Sequence, residues 1–75
     1  MSRFPVISGR QLIKILGKIG VIVVGRKGSH VRMKRQLGKE VLIVIVPMHR
    51  ELAKGTLRSI LRQANMSIED LNRLL

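Results

Sequence analysis

The spacing of apolar residues changes period twice along the chain. Leu12, Ile15, Leu16 and Ile19 recur at the three-and-four spacing of an amphipathic helix. Ser8 and Gln11 precede them at the S-x-x-Q spacing of a capping box, Ile7 and Leu12 stand at the two ends of a hydrophobic staple, and Gly20 provides a left-handed stop. Arg10, Lys14 and Lys18, at i, i+4 and i+8, line a basic stripe on the opposite side. After Gly20 the period shortens. Residues 21–24 form a β-branched run that reads as a first strand, and "RKG" supplies a hairpin turn. Residues 29–35 then alternate, sending Val31 and Met33 to one face and His30, Arg32 and Lys34 to the other. "QLGK" makes a second turn, and "EVLIVIV" is a third strand, apolar on both faces, that Pro47 ends.

Helical spacing returns after the loop "MHRELAKG". Thr56 is placed to cap a helix carrying Leu57, Ile60, Leu61 and Ala64, and Asn65 offers a left-handed exit. Ser67 caps a short last helix with Asp70 at N3 and Glu69 in the positive first turn. The expected fold class is α+β, in the order α-β-β-β-α with a short extra C-terminal helix. Three antiparallel strands cannot bury an apolar face alone, so the helices should pack on the side of Val31 and Met33, leaving His30 on an open face. Residues 1–75 are too few for two cores and make a single domain. The second apolar face of residues 41–46 needs a cover, either the loop "MHRELAKG" or a partner surface.

Composition adds a partner class. Fifteen Lys and Arg against four Asp and Glu give a net charge of +11, which makes a polyanion the natural partner and association salt-sensitive. A single aromatic, Phe4, argues against a platform that stacks successive bases, so contact should be mainly with phosphate and sugar. The chain has no cysteine and no cluster of metal-ligand residues, so no disulfide, metal or other cofactor is expected. No apolar run approaches the ~18 residues that span a bilayer, and "MSRFPVISGR" lacks the apolar core of a signal peptide. A cytoplasmic protein with no membrane partner is expected.

The stretch "RKGSHVRMK" (26–34) concentrates the candidate chemistry. Arg26 and Lys27 precede His30 in the turn, Gly28 permits close backbone approach, Ser29 offers a hydroxyl, and Arg32 and Lys34 share the strand face of His30. A titratable imidazole among cations suits metal-free RNA cleavage, in which a base takes the 2′-OH proton and cations stabilise charge growing on the phosphate. His49 in "PMHRE" is either a loop residue that is solvated or caps a helix, or a second acid/base group, and its distance from His30 decides whether it is the latter. Four carboxylates in the whole chain argue against a two-carboxylate hydrolase or a carboxylate-bound magnesium site. A non-catalytic RNA-binding module using the same basic face is the alternative reading; a cationic membrane-active domain fits an ordinary mixed fold less well.

Taken in order, "SGRQLIKILGKIG", "RKGSHVRMK", "VIVPMHRELAKGTLRSILRQANMS" and "IEDLNRLL" resemble the HicA-like (YcfA) family of toxins over nearly the whole chain. The most specific pieces are G-S-H at Gly28 to His30, P-x-H at Pro47 to His49 and G-T-L-R-S-I-L beginning at Gly55. The resemblance implies a fold similar to a double-stranded RNA-binding domain and the activity of a ribosome-independent mRNA interferase, an endoribonuclease held in check by a HicB-like antitoxin. It makes His30 the catalytic residue and carries Lys27, Gly28 and Ser29 with it as one motif. Val21 stands where the family commonly has an aromatic, and Asn65 where it often has glycine, departures that bear on stability rather than on the chemistry. An antitoxin occluding His30 and covering the sheet would account for the two-faced third strand, and a homodimer would do so equally.

Overall fold

A computed structural model describes residues 3–75; Met1 and Ser2 of the expected 1–75 domain lie outside the described residues. The order is α1 (Gly9–Gly17), β1 (Ile22–Lys27), β2 (His30–Leu37), β3 (Glu40–Pro47), α2 (Lys54–Gln63) and α3 (Ile68–Leu74). The strands form one antiparallel sheet, β1-β2-β3, so β2 is central. The fold is the expected α+β arrangement with the extra C-terminal helix.

The helix ends follow their local chemistry. At α1 the Ser8 hydroxyl accepts from the Gln11 N–H at 3.0 Å while Gln11 Oε1 accepts from the Ser8 N–H at 2.8 Å. The staple residues Ile7 and Leu12 are both buried. The helix stops at Gly17, three residues before the expected glycine, and Gly20 then turns the chain with φ +84°. Ser67 and Asp70 cap α3 in the same reciprocal way, and Asn65 takes the left-handed exit from α2 with φ 55°. Thr56, by contrast, is not a cap. Leu52 is buried and its N–H donates to the Ile7 carbonyl at 2.8 Å, so the chain is already committed at Ala53 and α2 starts there without a side-chain cap.

The strand boundaries also differ from the expected ones. Val21 fills the core just ahead of β1, and Arg26 and Lys27 are strand residues at a sheet edge, where charge is well tolerated. Each hairpin therefore closes with a two-residue Gly-X loop: Gly28-Ser29 between the opposed pair Lys27 and His30, and Gly38-Lys39 between Leu37 and Glu40. Positive φ at the first loop residue only, 58° and 61°, is the type II′ pattern that matches the twist of the strands. Val24 is an extra residue in β1, a bulge between the pairs Val23–Met33 and Gly25–Arg32.

The helices cover the face of Val31, Met33, Val44 and Val46, all buried with Leu12, Leu16, Leu57, Ile60 and Leu71 in one core. Burying this face provides most of the stabilisation, at roughly 1.5–3 kcal/mol for each large side chain. The opposite face stays open. The loop after β3 does not cover it: Val41 and Ile43 remain 51% and 38% exposed, and Ile22 and Val24 on the other side of β2 are exposed as well. Arg35 is the one cation of β2 on the helix side. Its guanidinium donates to the carbonyls of Ala64 and Asn65, meeting the negative end of α2.

Candidate active site

His30 is the first residue of β2 and is exposed. Three neighbours fix its backbone. Lys27 opposes it on β1, Pro47 opposes it on β3, and the adjacent Ser29 carbonyl accepts from the Met48 N–H at 2.7 Å. The imidazole is exposed and has no hydrogen-bond partner among the described residues.

Arg26, Lys27, Gly28, Ser29, His30 and Arg32 border a single hollow of about 800 Å³, with Ile45 and the bulged Val24 among its apolar lining. Arg26 Nε donates to the Gly28 carbonyl at 3.3 Å, which lays that guanidinium along the turn. Lys27 and Arg32 form no ion pair, and their charge is available to an anion. Lys34 shares the open face of β2 but lies outside the hollow, two residues further along and half-buried between Ile22 and Ile43. It extends the basic track rather than facing the imidazole.

His49 is not brought to this hollow. It is an exposed loop residue whose carbonyl accepts from the Gly9 N–H at 2.9 Å, anchoring the start of α1. It lines neither depression that His30 borders. The second of these lies on the α2 side of His30, about 390 Å³ in volume, and is bordered by Thr56, Ser59 and Gln63. Sequence reasoning missed those three, and their i, i+3, i+7 spacing on a helix was the available signal. Gln63 Oε1 accepts from the outward Ile45 N–H of β3 at 2.8 Å, so this face of α2 covers part of the sheet edge.

The other cations are more dispersed. Arg10, Lys14 and Lys18 are exposed on α1, and Lys18 Nζ reaches the Leu74 carbonyl at 3.5 Å. Lys54 and Arg58 sit 5.6 and 5.2 Å from the centre of the Phe4 ring, a double cation–π contact that uses both in holding the N-terminal segment. No helix is long and apolar enough to cross a membrane, and among the described residues no group of three His, Cys, Asp or Glu could hold a metal ion.

Comparison with known proteins agrees with the motif order. The family model described as the HicA toxin of bacterial toxin-antitoxin systems matches residues 9–66, from the first residue of α1 to just past the Asn65 turn. No curated protein and no solved structure matched. The matched region contains the G-S-H turn, all three strands and the whole of α2. The chain therefore belongs to the HicA toxin family of bacterial toxin-antitoxin systems.

Proposed function

We propose that this toxin is an endoribonuclease that cuts mRNA without the ribosome and without a metal ion, with His30 as the general base. The observation that carries this reading is that His30, with no hydrogen-bond partner among the described residues, shares one open hollow with the cations Arg26, Lys27 and Arg32. In the reaction His30 takes the proton from a ribose 2′-OH and the 2′ oxygen attacks the adjacent phosphorus. The P–O5′ bond then breaks, leaving a 2′,3′-cyclic phosphate and a 5′-hydroxyl. Lys27 and Arg32 hold the phosphate and stabilise its growing charge, and the exposed glycine of the turn lets the RNA backbone come close to the strand ends. Lys27, directly across the ladder from His30, is better placed than His49 to donate the proton to the leaving oxygen. Lys34 extends the phosphate track along β2.

The neutralising partner is a HicB-like antitoxin in the cytoplasm that lies over the open sheet face. Such a partner would bury Val41 and Ile43 together with the basic row of β2, which otherwise leaves an apolar strand exposed beside charge. The apolar core forms one cluster running from Ile7 to Leu71, which supports treating residues 1–75 as one domain. A non-catalytic RNA-binding module would use the same basic face, and a pH–rate profile separates the two. A limb attributable to a histidine is expected in the wild-type profile, and RNA binding with no cleavage at any pH would favour the binding module.

A further inference from the structure

His30 borders two hollows of different chemistry. On the hairpin side it shares a basin with Arg26, Lys27 and Arg32; on the α2 side it shares a smaller one with Thr56, Ser59 and Gln63. Ile45 lines both, so His30 and Ile45 together form the ridge between them. Apart from His30 itself, the α2-side hollow has no Lys, Arg, Asp or Glu in its lining. Its floor is apolar, from Ile45, Pro47 and Ile60, and its polar groups are the His30 imidazole, two hydroxyls and an amide.

The amide is oriented. Gln63 Oε1 is occupied by the Ile45 N–H at 2.8 Å, which leaves the Nε2 hydrogens as donors. Thr56, Ser59 and Gln63 follow one another along a single face of α2, so the hydroxyls and the amide form a row above the apolar floor. A partly apolar hollow with two hydroxyls and an oriented amide suits a planar heterocycle, whereas the cationic basin suits a phosphate. The α2-side hollow is a shallow depression of about 390 Å³, open to solvent along one side, so a base would lie across it rather than be enclosed.

We infer that the α2-side hollow is a nucleobase subsite. It holds the base next to the scissile phosphate while that phosphate sits over His30, and Thr56, Ser59 and Gln63 read the edge of the base. This assignment rests on the ribonuclease reading for its function, though the site itself binds a base whether or not the RNA is cut. The ridge explains how both sides are used by one strand: the backbone crosses at His30, its phosphates turn toward Lys27 and Arg32, and one base drops toward α2. The Gln63 donors select a base edge that presents acceptors, which gives the toxin a sequence preference at one position beside the cut.

Two measurements test the subsite separately from the chemistry. In the first, isotope-labelled His30→Ala protein is titrated with each of the four ribonucleoside monophosphates and with a short single-stranded RNA. Amides of Gly55, Thr56, Ser59 and Gln63 should shift, several-fold more with one base than with the others. Shifts confined to the hairpin, or equal for all four bases, overturn the subsite. In the second, Ser59→Ala and Gln63→Glu, the latter keeping an acceptor for the Ile45 N–H, are compared with wild type on a random RNA pool by sequencing the cut ends. Base preference beside the cut should fall several-fold in both variants, and an unchanged preference overturns the subsite while leaving the nuclease intact. A wild-type protein that cuts nothing but shows base-selective shifts would refute the nuclease and support the subsite.

Discussion

Gly9 lies against the carbonyl of Pro47 so closely that a methyl group on Gly9 would overlap the oxygen and come within 3.2 Å of the Met48 Cα. Pro47 is also the cross-strand partner of His30. The first residue of α1 thus supports the strand end that positions the candidate base. Gly9→Ala should force α1 away from β3 and destabilise the fold by about 1–3 kcal/mol, the range for overpacking a filled site. Thermal melting measures the loss, and a variant as stable as wild type would show that the contact relaxes freely.

Gly28 and Gly38 provide a matched pair. Both begin a type II′ loop with nearly equal positive φ, and neither has an atom near enough to meet an added methyl group. Alanine at either position should therefore cost a similar amount, about 1–2 kcal/mol of backbone strain. Only Gly28 lies next to the Lys27–His30 pair. RNA cleavage by Gly28→Ala should fall well below that of Gly38→Ala when both are assayed folded; equal activities would detach the turn from the chemistry.

Arg32 and Arg35 are three residues apart on one strand and have opposite tasks. Arg35 caps the end of α2, so Arg35→Met should lower stability by about 1–3 kcal/mol and leave RNA affinity nearly unchanged. Arg32 is exposed and makes no ion pair. Arg32→Ala should keep the melting temperature, weaken RNA binding and reduce the log-log salt slope by about 1. Binding titrations at several salt concentrations check both, and a reversed pattern would contradict the face assignment.

Acid sensitivity should arise at the C-terminal helix. The hydrogen bond that Asp70 accepts from the Ser67 backbone N–H, with the Ser67 hydroxyl beside it and Arg73 at 2.9 Å, holds its carboxyl below the ordinary value of 3.8. A carboxyl lowered on folding stabilises the native state above its unfolded pKa and loses that contribution as pH falls through the folded value. The stability contributed by the cap should therefore be constant at neutral pH and decline only below about pH 4. Asp70→Asn should flatten that part of the pH–stability curve; a wild-type decline starting near pH 6 would implicate another group.

The sequence was most informative where a residue's neighbours along the chain decide its place. Alternation placed His30 and Arg32 on the open face, and both Ser-capped helix starts followed from adjacent residues. Errors arose where distant contacts decide. Val21 has the composition of a strand but fills the core, and Arg26 and Lys27 resemble a turn but occupy an edge strand. The start of α2 depends on Leu52 reaching Ile7, far away in sequence, and therefore carries no cap signal at Thr56. The tight approach of Gly9 to Pro47 and the role of Gln63 at the β3 edge likewise exist only once the helices are docked. For the site, the basic hairpin was legible as one motif, while the separation of His49 and the hollow on the α2 side of His30 required the fold.

Assigning catalysis to His30 stands or falls on the purified His30→Ala protein. It should remain folded, because the side chain is exposed and has no hydrogen-bond partner among the described residues, and it should retain most of its RNA affinity through Lys27 and Arg32. Incubated with mRNA in the presence of EDTA, the wild type should generate fragments ending in 2′,3′-cyclic phosphate while His30→Ala generates none. Cleavage by the variant at a rate close to that of wild type would contradict the assignment.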